Sequence, residues 1–242
     1  MGGAAAGGAA LILDQDGSSP VLVATQGSDN VTYELAPFEQ IATVGPQDVL
    51  ITYGETQSIR AEGPANAIGR LDVVVEDGEL TIRPKGVTGF TDWGRFSTTT
   101  FHITMPRLQR VSLAGSGDIT VDRIEGDSFE GTLAGPGKLS IGDMKVDEAE
   151  FTIGGSGDVV AAGTAREADV EIGGSGTIEA GGLRSQTASV SIGGSGDVAL
   201  TVADQARISI AGSGDVDISG PARCSLTRMG SGDVRCNGQQ ID

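Results

Sequence analysis

Five aspartates occupy the fourth position of a recurrent Gly-x-Gly-x segment and form a regular set of ionisable side chains. They are Asp118, Asp158, Asp197, Asp215 and Asp233. If the segments stack, neighbouring carboxylates repel each other by roughly 1–3 kcal/mol. Lys138 and Thr177 interrupt the series, so only its last three members form an unbroken acidic run. Because Ca²⁺ prefers carboxylate oxygens as ligands, a candidate calcium site is formed by Asp197, Asp215 and Asp233.

A second interpretation gives the same aspartates a structural role. Asp side chains commonly accept hydrogen bonds from backbone N–H groups of their own turn while they face water. Carboxylates on successive segments would also point along one line instead of converging. The repeat period differs from that of the nonapeptide calcium β-rolls. The melting temperature, measured at increasing calcium concentrations, separates the two interpretations. No other cofactor is predicted.

The two cysteines, Cys224 and Cys236, both lie in the last repeat. The alternation of apolar residues places both side chains on the inner face. A disulfide across this loop would stabilise the chain by about 3 kcal/mol, although two buried thiols would also pack well. The single histidine, His102, has no convergent acid pair with which to build a catalytic triad or a zinc site. The sequence therefore predicts no enzyme.

A repeat that occurs seven times between residues 115 and 234 must position these residues. Each copy reads Gly-x-Gly-x followed by an apolar, any, apolar triplet, in steps of 20, 20, 19, 20, 18 and 18 residues. Apolar residues alternate on both sides of each turn, as in strands with one buried face. A fixed period with three short sides per turn predicts an all-β fold, a parallel β-helix of about 18–20 residues per coil. Parallel crossovers favour a right-handed sense.

The third side of the coil and the last coil both test the register of the repeat. The third and shortest side of the coil is predicted to turn inward at Ile124, Met144, Thr164, Leu183 and Val202. In the last coil, strict register places Arg228 where Ile210 points inward. The sequence therefore predicts either a small insertion or an Arg228 side chain that reaches out of an open end.

Residues 20–106 are strand-rich without a period and are predicted to form irregular coils that cap the helix. Asp77-Gly78 between two apolar runs is a hairpin signal. Residues 1–19 are expected to be a flexible lead-in or an appended remnant, and residues 107–242 the β-helix, continuous with the cap in a single domain. The strands predicted in the cap are Glu39–Val44, Asp48–Tyr53, Gln57–Ala61, Leu71–Glu76, Glu79–Pro84 and Thr99–Met105.

Four of the nine aromatic residues fall within twelve positions just before the repeats, and they are Phe90, Trp93, Phe96 and Phe101. One interpretation is a contact loop whose aromatic side chains anchor a partner or a second subunit. The other is a cap that covers the first coil and prevents edge-to-edge association. Substitution of Trp93 by Ala would weaken binding on the first interpretation and only stability on the second.

A second row of polar side chains follows the outward face of the first strand of each coil. It consists of Ser112, Thr132, Thr152, Glu171, Ser191 and Ser209. A flat row of hydroxyl groups suits ice or glycans, but Ser and Thr also suit any exposed strand position. Glu171 interrupts the row, and a structural surface is the favoured interpretation.

The net charge of −17 and the pI near 4.3 exclude a nucleic-acid-binding function, because such a surface repels phosphate backbones and anionic membranes. No stretch approaches the roughly 20 apolar residues that a membrane helix needs. Residues 1–13 carry no Lys or Arg and do not read as an intact secretory signal. This leaves a cytosolic protein or a mature exported one.

Three stretches together resemble the bacterial putative auto-transporter adhesin head (GIN) domain family. The first runs from Phe38 to Gly54 and includes Gly45-Pro46-Gln47-Asp48-Val49. The second is Met105-Pro106-Arg107-Leu108 with the following Val111–Asp118, and the third is the series of Gly-Ser-Gly-Asp turns. The match covers roughly residues 33–236. The resemblance implies an exported, envelope-associated β-helix in the periplasm, at the outer membrane or outside the cell, and it carries no catalytic residues.

The leading hypothesis is a non-enzymatic envelope or surface protein that acts by interaction, with a protein or glycan partner and a tendency to form homo-oligomers. The first alternative is a polysaccharide lyase or hydrolase, since β-helices often host such enzymes. That chemistry needs clustered acidic and basic groups in a groove fed by long loops, and here the coils are minimal. The second alternative is a calcium-binding structural module.

Overall fold

A computed structural model of the chain describes residues 30–86 and 99–242, which form strands almost throughout. One short helix, α1 (Ala65–Ile68), interrupts them. The strands, in chain order, are β1 (Asn30–Tyr33), β2 (Gln40–Val44), β3 (Asp48–Tyr53), β4 (Ser58–Glu62), β5 (Leu71–Glu76), β6 (Glu79–Pro84), β7 (Thr100–Met105), β8 (Arg110–Ala114), β9 (Asp118–Glu125), β10 (Ser128–Gly135), β11 (Lys138–Gly155), β12 (Asp158–Gly174), β13 (Thr177–Gly194), β14 (Asp197–Gly212), β15 (Val216–Ser219), β16 (Arg223–Gly230), β17 (Val234–Cys236) and β18 (Gln239–Gln240).

The strands stack into a β-solenoid of about six turns, which confirms the predicted parallel β-helix. Its first ladder joins β6, β2, β8 and β10 to the C-terminal halves of β11–β14 and then to β16. Its second ladder joins β7, β3 and β9 to the N-terminal halves of the same long strands, followed by β15 and β17. In both ladders every second side chain points inward, so like residues stack on like residues.

One continuous apolar core fills the coils. Leu133, Ile153 and Ile172 stack in register on successive coils and are almost fully buried. Burial of each such side chain contributes roughly 1.5–3 kcal/mol. Gly131 opens space within this core, since a Cβ there would lie 3.2 Å from the Phe151 ring and 3.3 Å from the Phe129 ring. The repeat thus buries its inner face only against neighbouring coils.

The corner between the two ladders is a stack of glycines with positive φ, between 125° and 150°. The seven repeats supply Gly115, Gly135, Gly155, Gly174, Gly194, Gly212 and Gly230, and Gly45 adds an eighth member. The Gly45 turn reads Gly-Pro-Gln-Asp, and its carbonyl oxygen accepts hydrogen bonds from the N–H groups of Ser116 and Gly117. It was not predicted as a repeat because Gln47 stands where the other turns have a second glycine.

The predicted strands of the N-terminal part are confirmed to within one residue. β5 and β6 pair antiparallel around Asp77 and Gly78, whose φ angles of 50° and 80° are those of a tight hairpin turn. The coil made by β2 and β3 lies between the β6–β7 coil and the β8–β9 coil. Beyond β7, β4 and β1 add antiparallel strands to the edge of the second ladder. The sequence therefore folds back before its regular repeats begin.

The predicted inward position of Thr164 is wrong by one residue. Gly163 pairs with Met144, and Thr164 is exposed. Gly142 and Asp143 of β11 face the single residue Ala162 of β12, so this coil is one residue shorter than the one before. The shortening matches the step of 19 residues in the sequence at this point.

The last coil keeps strict register, and Arg228 pairs with Ile210 without an insertion. The Arg228 guanidinium reaches out of the end of the stack and donates to the carbonyl oxygen of Gly232 at 2.7 Å and to Asp242 Oδ1 at 3.4 Å. The second of the two predicted outcomes is therefore correct. In the described part of the chain, no helix has the length and apolar character needed to cross a membrane.

Candidate functional site

The predicted aspartates lie at the start of the second ladder, where the carboxylates of Asp197 and Asp215 each accept a hydrogen bond from the next coil. Asp197 Oδ1 accepts the backbone N–H of Asp215 at 3.2 Å, and Asp215 Oδ1 accepts that of Asp233 at 2.7 Å. The same contact occurs at the other end of the stack, where Asp48 Oδ1 accepts the N–H of Asp118 at 3.0 Å. We call this series the Asp ladder. Asp48, Asp197 and Asp215 thus cap the turn of the coil stacked on them, whereas the sequence interpretation had each aspartate capping its own turn.

The structure does not gather the candidate calcium ligands into one site. Asp197, Asp215 and Asp233 follow one another along the stack, and each has an oxygen engaged by a backbone N–H or by the Gln240 amide. Among residues 30–86 and 99–242, no group of three or more His, Cys, Asp or Glu side chains is arranged to hold a metal ion. The geometry therefore favours the structural role.

Substitution of Asp215 by Ala should destabilise the protein by about 1 kcal/mol, because it removes the acceptor for the Asp233 N–H. Asp215→Asn retains a side-chain oxygen and should lose less than half of that amount. Urea unfolding followed by circular dichroism measures both variants. Equal losses for the two substitutions would contradict a hydrogen-bonding role for the carboxylate.

Millimolar calcium should leave the melting temperature of the wild-type protein unchanged, because a ligand stabilises a fold only through a site that the native state offers. Differential scanning calorimetry with calcium and with magnesium as the matched control measures this. A rise that calcium alone produces, and that Asp215→Asn abolishes, would restore the calcium hypothesis.

A concave groove of about 250 Å³ opens on the outer side of the first ladder. Its polar wall follows one column of outward positions, in which Arg110, Glu130, Glu150 and Asp169 lie on successive coils. Gln40, Gln109, Ser128 and Glu148 complete the polar lining, above the buried side chains of Phe129 and Ala149. We call this cavity the column groove. A second depression of about 180 Å³ adjoins it and shares Gln109 and Ser128.

The column groove is strongly acidic, because its lining holds four carboxylates and one guanidinium. Arg110 is paired with Glu130 at 2.7 Å. Partial burial, followed by repulsion from Glu130, Asp169 and Glu171, raises the pKa of Glu150. Partial burial, followed by repulsion from Glu167, Glu171 and Glu148, raises the pKa of Asp169, although a hydrogen bond with Ser189 opposes the shift.

The raised pKa of Glu150 predicts how its removal changes stability with pH. A carboxyl whose pKa is higher in the folded than in the unfolded state destabilises the fold above that pKa, and the penalty disappears as the pH falls through it. Glu150→Gln should therefore raise the melting temperature at neutral pH and lose this advantage near pH ~4. Glu179→Gln, at an exposed position of the second ladder, is the control in thermal melts. An advantage for Glu150→Gln that is independent of pH would contradict the electrostatic cause.

Only part of the predicted aromatic group lies within the described residues. Phe90, Trp93 and Phe96 fall outside them, so their role in contact stays a prediction. Phe101 is fully buried beside Tyr33, with ring centroids 6.3 Å apart. Its strand pairs with β3 on one side and β4 on the other, and the alternation of side chains along the strand turns the ring into the core. Phe101 therefore cannot contact a partner in this fold.

The remaining predicted positions are placed as follows. Cys224 on β16 and Cys236 on β17 are joined by a disulfide with a Cα–Cα distance of 6.3 Å, across the end of the last coil. Glu62 Oε2 lies 3.4 Å from Nε2 of the half-exposed His102. The row from Ser112 to Ser209 lies on the outer side of the first ladder, in register between coils.

The column groove was not predicted from the sequence, although a signal for it exists. Glu130, Glu150 and Asp169 are separated by 20 and 19 residues, the same steps as the turns. An alignment of the outward positions of successive coils places these three carboxylates in one column. The concavity itself has no counterpart in the sequence pattern.

Comparison with known proteins supports the same fold. A putative adhesin from Bacteroides fragilis superposes with a TM-score of 0.77 at 22% identity, over 87% of this chain and 97% of that one. A putative adhesin from Parabacteroides merdae superposes with a TM-score of 0.67 at 22% identity, over 86% of this chain and 96% of that one. A putative lipid binding protein from Parabacteroides distasonis superposes with a TM-score of 0.67 at 20% identity, over 86% of this chain and 96% of that one. A search of curated protein sequences finds no match to the chain.

The similarity to these solved structures shows the fold alone, because the identities are low. The sequence itself matches a family profile over residues 37–222, which is most of the chain. That segment contains the Gly-Pro-Gln-Asp turn and all but the last of the Gly-x-Gly-x turns. The chain therefore belongs to the family described as putative auto-transporter adhesin, head GIN domain.

Proposed function

We propose that the protein is a non-enzymatic, exported protein of the bacterial cell envelope or surface that works by binding a protein or glycan. The main support for this proposal is the form of the surface. The coils are joined by short turns, and polar side chains repeat in register along their outer faces. Such a stack presents an extended array of identical spacing, which suits multivalent contact better than chemistry on a small substrate. Membership of an adhesin family supports the same conclusion.

The polysaccharide-degrading alternative has some support from the column groove, where Arg110 is paired with Glu130 and three further carboxylates share the lining. A hydrolase needs two carboxyl groups at the separation set by its mechanism, on either side of the bond that is cleaved. Here Glu130, Glu150 and Asp169 lie in one column on one face of the sheet. This arrangement favours binding over cleavage.

The purified protein, immobilised on a biosensor, tests the proposal against peptidoglycan, lipopolysaccharide, mucin glycans and an extracellular-matrix protein. We expect saturable binding to at least one of them, with no increase in reducing ends and no unsaturated uronate in the flow-through. Heat-unfolded protein is the control for non-specific adsorption. Release of sugar products would replace the proposal with the enzymatic alternative, and an absence of saturable binding across the panel would contradict it.

Export and anchoring need a separate measurement, in cells that produce the protein from its natural gene. We expect it in the envelope fraction and accessible to protease added to intact or outer-membrane-permeabilised cells. Recovery in the cytosolic fraction would contradict an envelope function.

Cross-linking of the purified protein, with a Trp93→Ala variant beside the wild type, tests the expected homo-oligomer and the contact hypothesis for that residue.

A further inference from the structure

The two ladders end at different levels at the N-terminal end of the stack. Among residues 30–86 and 99–242, β5 is the outermost strand of the first ladder and pairs only with β6. The second ladder continues one strand further, because β7 pairs with β4 and β4 pairs with β1. Within the described part of the chain, β1 therefore lies at the level of a coil that has no strand in the first ladder.

The surface at this step is apolar. Val75 on β5 and Val31 on β1 are only partly buried at the margin of the core. One coil further in, Leu80 pairs with Val75 and is fully buried. β5 also contains Val73 and Val74, and an apolar strand at the edge of a sheet pairs readily with a further strand. The outer edge of β5 is thus an interaction surface for one strand.

The residues that precede β1 repeat the turn of a coil. Strand pairing through β4 and β7 sets Asn30 level with Asp48, the first residue of β3. Counting back from these two residues, Gly27-Ser28-Asp29 corresponds to Gly45-Pro46-Gln47, the turn that joins β2 to β3. Gly27 therefore stands in the sequence where the corner stack has Gly45, a position that requires positive φ.

The residues before Gly27 match β2 in the same alignment. Val23 and Thr25 correspond to Ile41 and Thr43, whose side chains are buried in the core. The run of residues 21–26 contains no charged residue, in a chain with a net charge of −17. This run therefore has the composition and the alternation of a half-buried strand.

From this register we infer that residues 21–26 form the first-ladder strand of a further coil and pair antiparallel with the outer edge of their own β5. β1 runs parallel to β7, because β4 is antiparallel to both. A strand that enters β1 through a corner therefore runs in the direction of β6, opposite to β5. Ile41 pairs with Leu80, which pairs with Val75. The alignment thus sets Val23 opposite Val75.

The position of β1 selects the strand of the same chain over that of a second copy. Only residues 27–29 separate the strand from Asn30, so Gln26 lies within roughly 14 Å of the first residue of β1. This short link holds the strand at its own stack at a high effective concentration. The strand closes an edge that would otherwise pair with another chain. The inference goes beyond the proposed function, because it concerns the self-association of the stack and names no ligand.

A pair of engineered cysteines tests the register in the full chain. Ala24 and Val74 are expected to face each other on the outer side of the sheet, since Ala42 pairs with Thr81 and Thr81 with Val74. Ala24→Cys/Val74→Cys should therefore form a disulfide within one chain under mild oxidation, because opposed residues of antiparallel strands have a suitable Cα separation. Peptide mapping by mass spectrometry identifies this disulfide beside the native one.

The matched control is Val23→Cys/Val74→Cys, in which the two side chains point to opposite faces of the sheet. This variant should form less than about a tenth as much of the new disulfide, since its Cβ atoms point apart. Equal yields from the two variants, or no new disulfide from either, would overturn the inference. A disulfide that joins two chains and increases with protein concentration would show that a second copy supplies the strand, and would overturn the assignment to the same chain.

Hydrogen exchange followed by NMR tests the same pairing without new cysteines. Every second amide of β5 faces away from β6, and we expect these amides in the wild type to exchange as slowly as their neighbours. Val23→Lys should accelerate them by about tenfold or more, because it places a charge on the buried face of the strand. Leu22→Lys, on the outer face, should change them less than about threefold. Alternating fast and slow exchange along β5 of the wild type would refute the added strand.

Discussion

Substitution of Gly194 by Ala is expected to lower the free energy of unfolding by about 3 kcal/mol or more. Gly194 has a φ of 143° in the corner stack, a conformation that costs a residue with a Cβ roughly 1–3 kcal/mol. A Cβ placed there would lie 3.0 Å from the carbonyl carbon of Gly174 and closer still to its oxygen. Relief of this clash requires one coil to move away from the next.

Gly193→Ala is the matched control, because it adds the same methyl group one position earlier in the chain. A Cβ at Gly193 meets only the Ile172 carbonyl oxygen, at 3.8 Å, which is ordinary contact. Gly193→Ala reduces the backbone freedom of the unfolded chain, and its free energy of unfolding should stay within about 1 kcal/mol of the wild-type value. Urea unfolding by circular dichroism measures both. Equal effects at the two positions would contradict the corner stack as the reason for the glycine repeat.

The spacing of the turns was enough to predict the coil, because a corner with no room for a Cβ admits few residues other than glycine. The same rule explains the one turn that was missed. In the Gly45 turn the third residue is Gln47, which is buried with its side chain folded beneath Gly45. The inward residue two positions before that turn is Thr43, where the next coil has Leu113.

Other features depend on distances that a sequence period does not contain. The inward register at Thr164 failed because one coil is a residue shorter at a corner, and only the pairing of Met144 with Gly163 reveals where the residue is lost. Phe101 was grouped with three nearby aromatic residues by sequence distance, yet strand alternation turns it inward with Ile103. The column groove requires both the alignment of outward columns and the local concavity.

The C-terminal end poses a problem that the middle of the stack does not. In the described part of the chain, no further coil covers β16, and Leu226 and Cys224 are only partly buried there. Met229 is 74% exposed. The β18 strand pairs antiparallel with β17 and covers the second ladder but not the first. Something must therefore hold β16 against the stack, and the disulfide between the two ladders is positioned to do so.

Removal of this disulfide in the variant Cys224→Ala/Cys236→Ala should lower the free energy of unfolding by about 3 kcal/mol, the value for a closed loop of this length. Because each coil is stabilised mainly by its neighbours, the effect should be local. Hydrogen exchange should accelerate at amides of β16 and β17 and remain unchanged in β11–β13. The wild type treated with reductant should reproduce the variant.

Non-reducing mass spectrometry of the wild type provides the necessary check, and we expect a mass two hydrogens below that of the dithiol. Two free thiols, or an unfolding curve that reductant does not shift, would show that packing alone holds the last coil. Exchange that accelerates at β16 and β17 of the variant, and not in β13, would show that the bridge is the main restraint on the open end. The comparison of β16 with β13 decides between them, since among the described residues β13 has a coil on each side and β16 on only one.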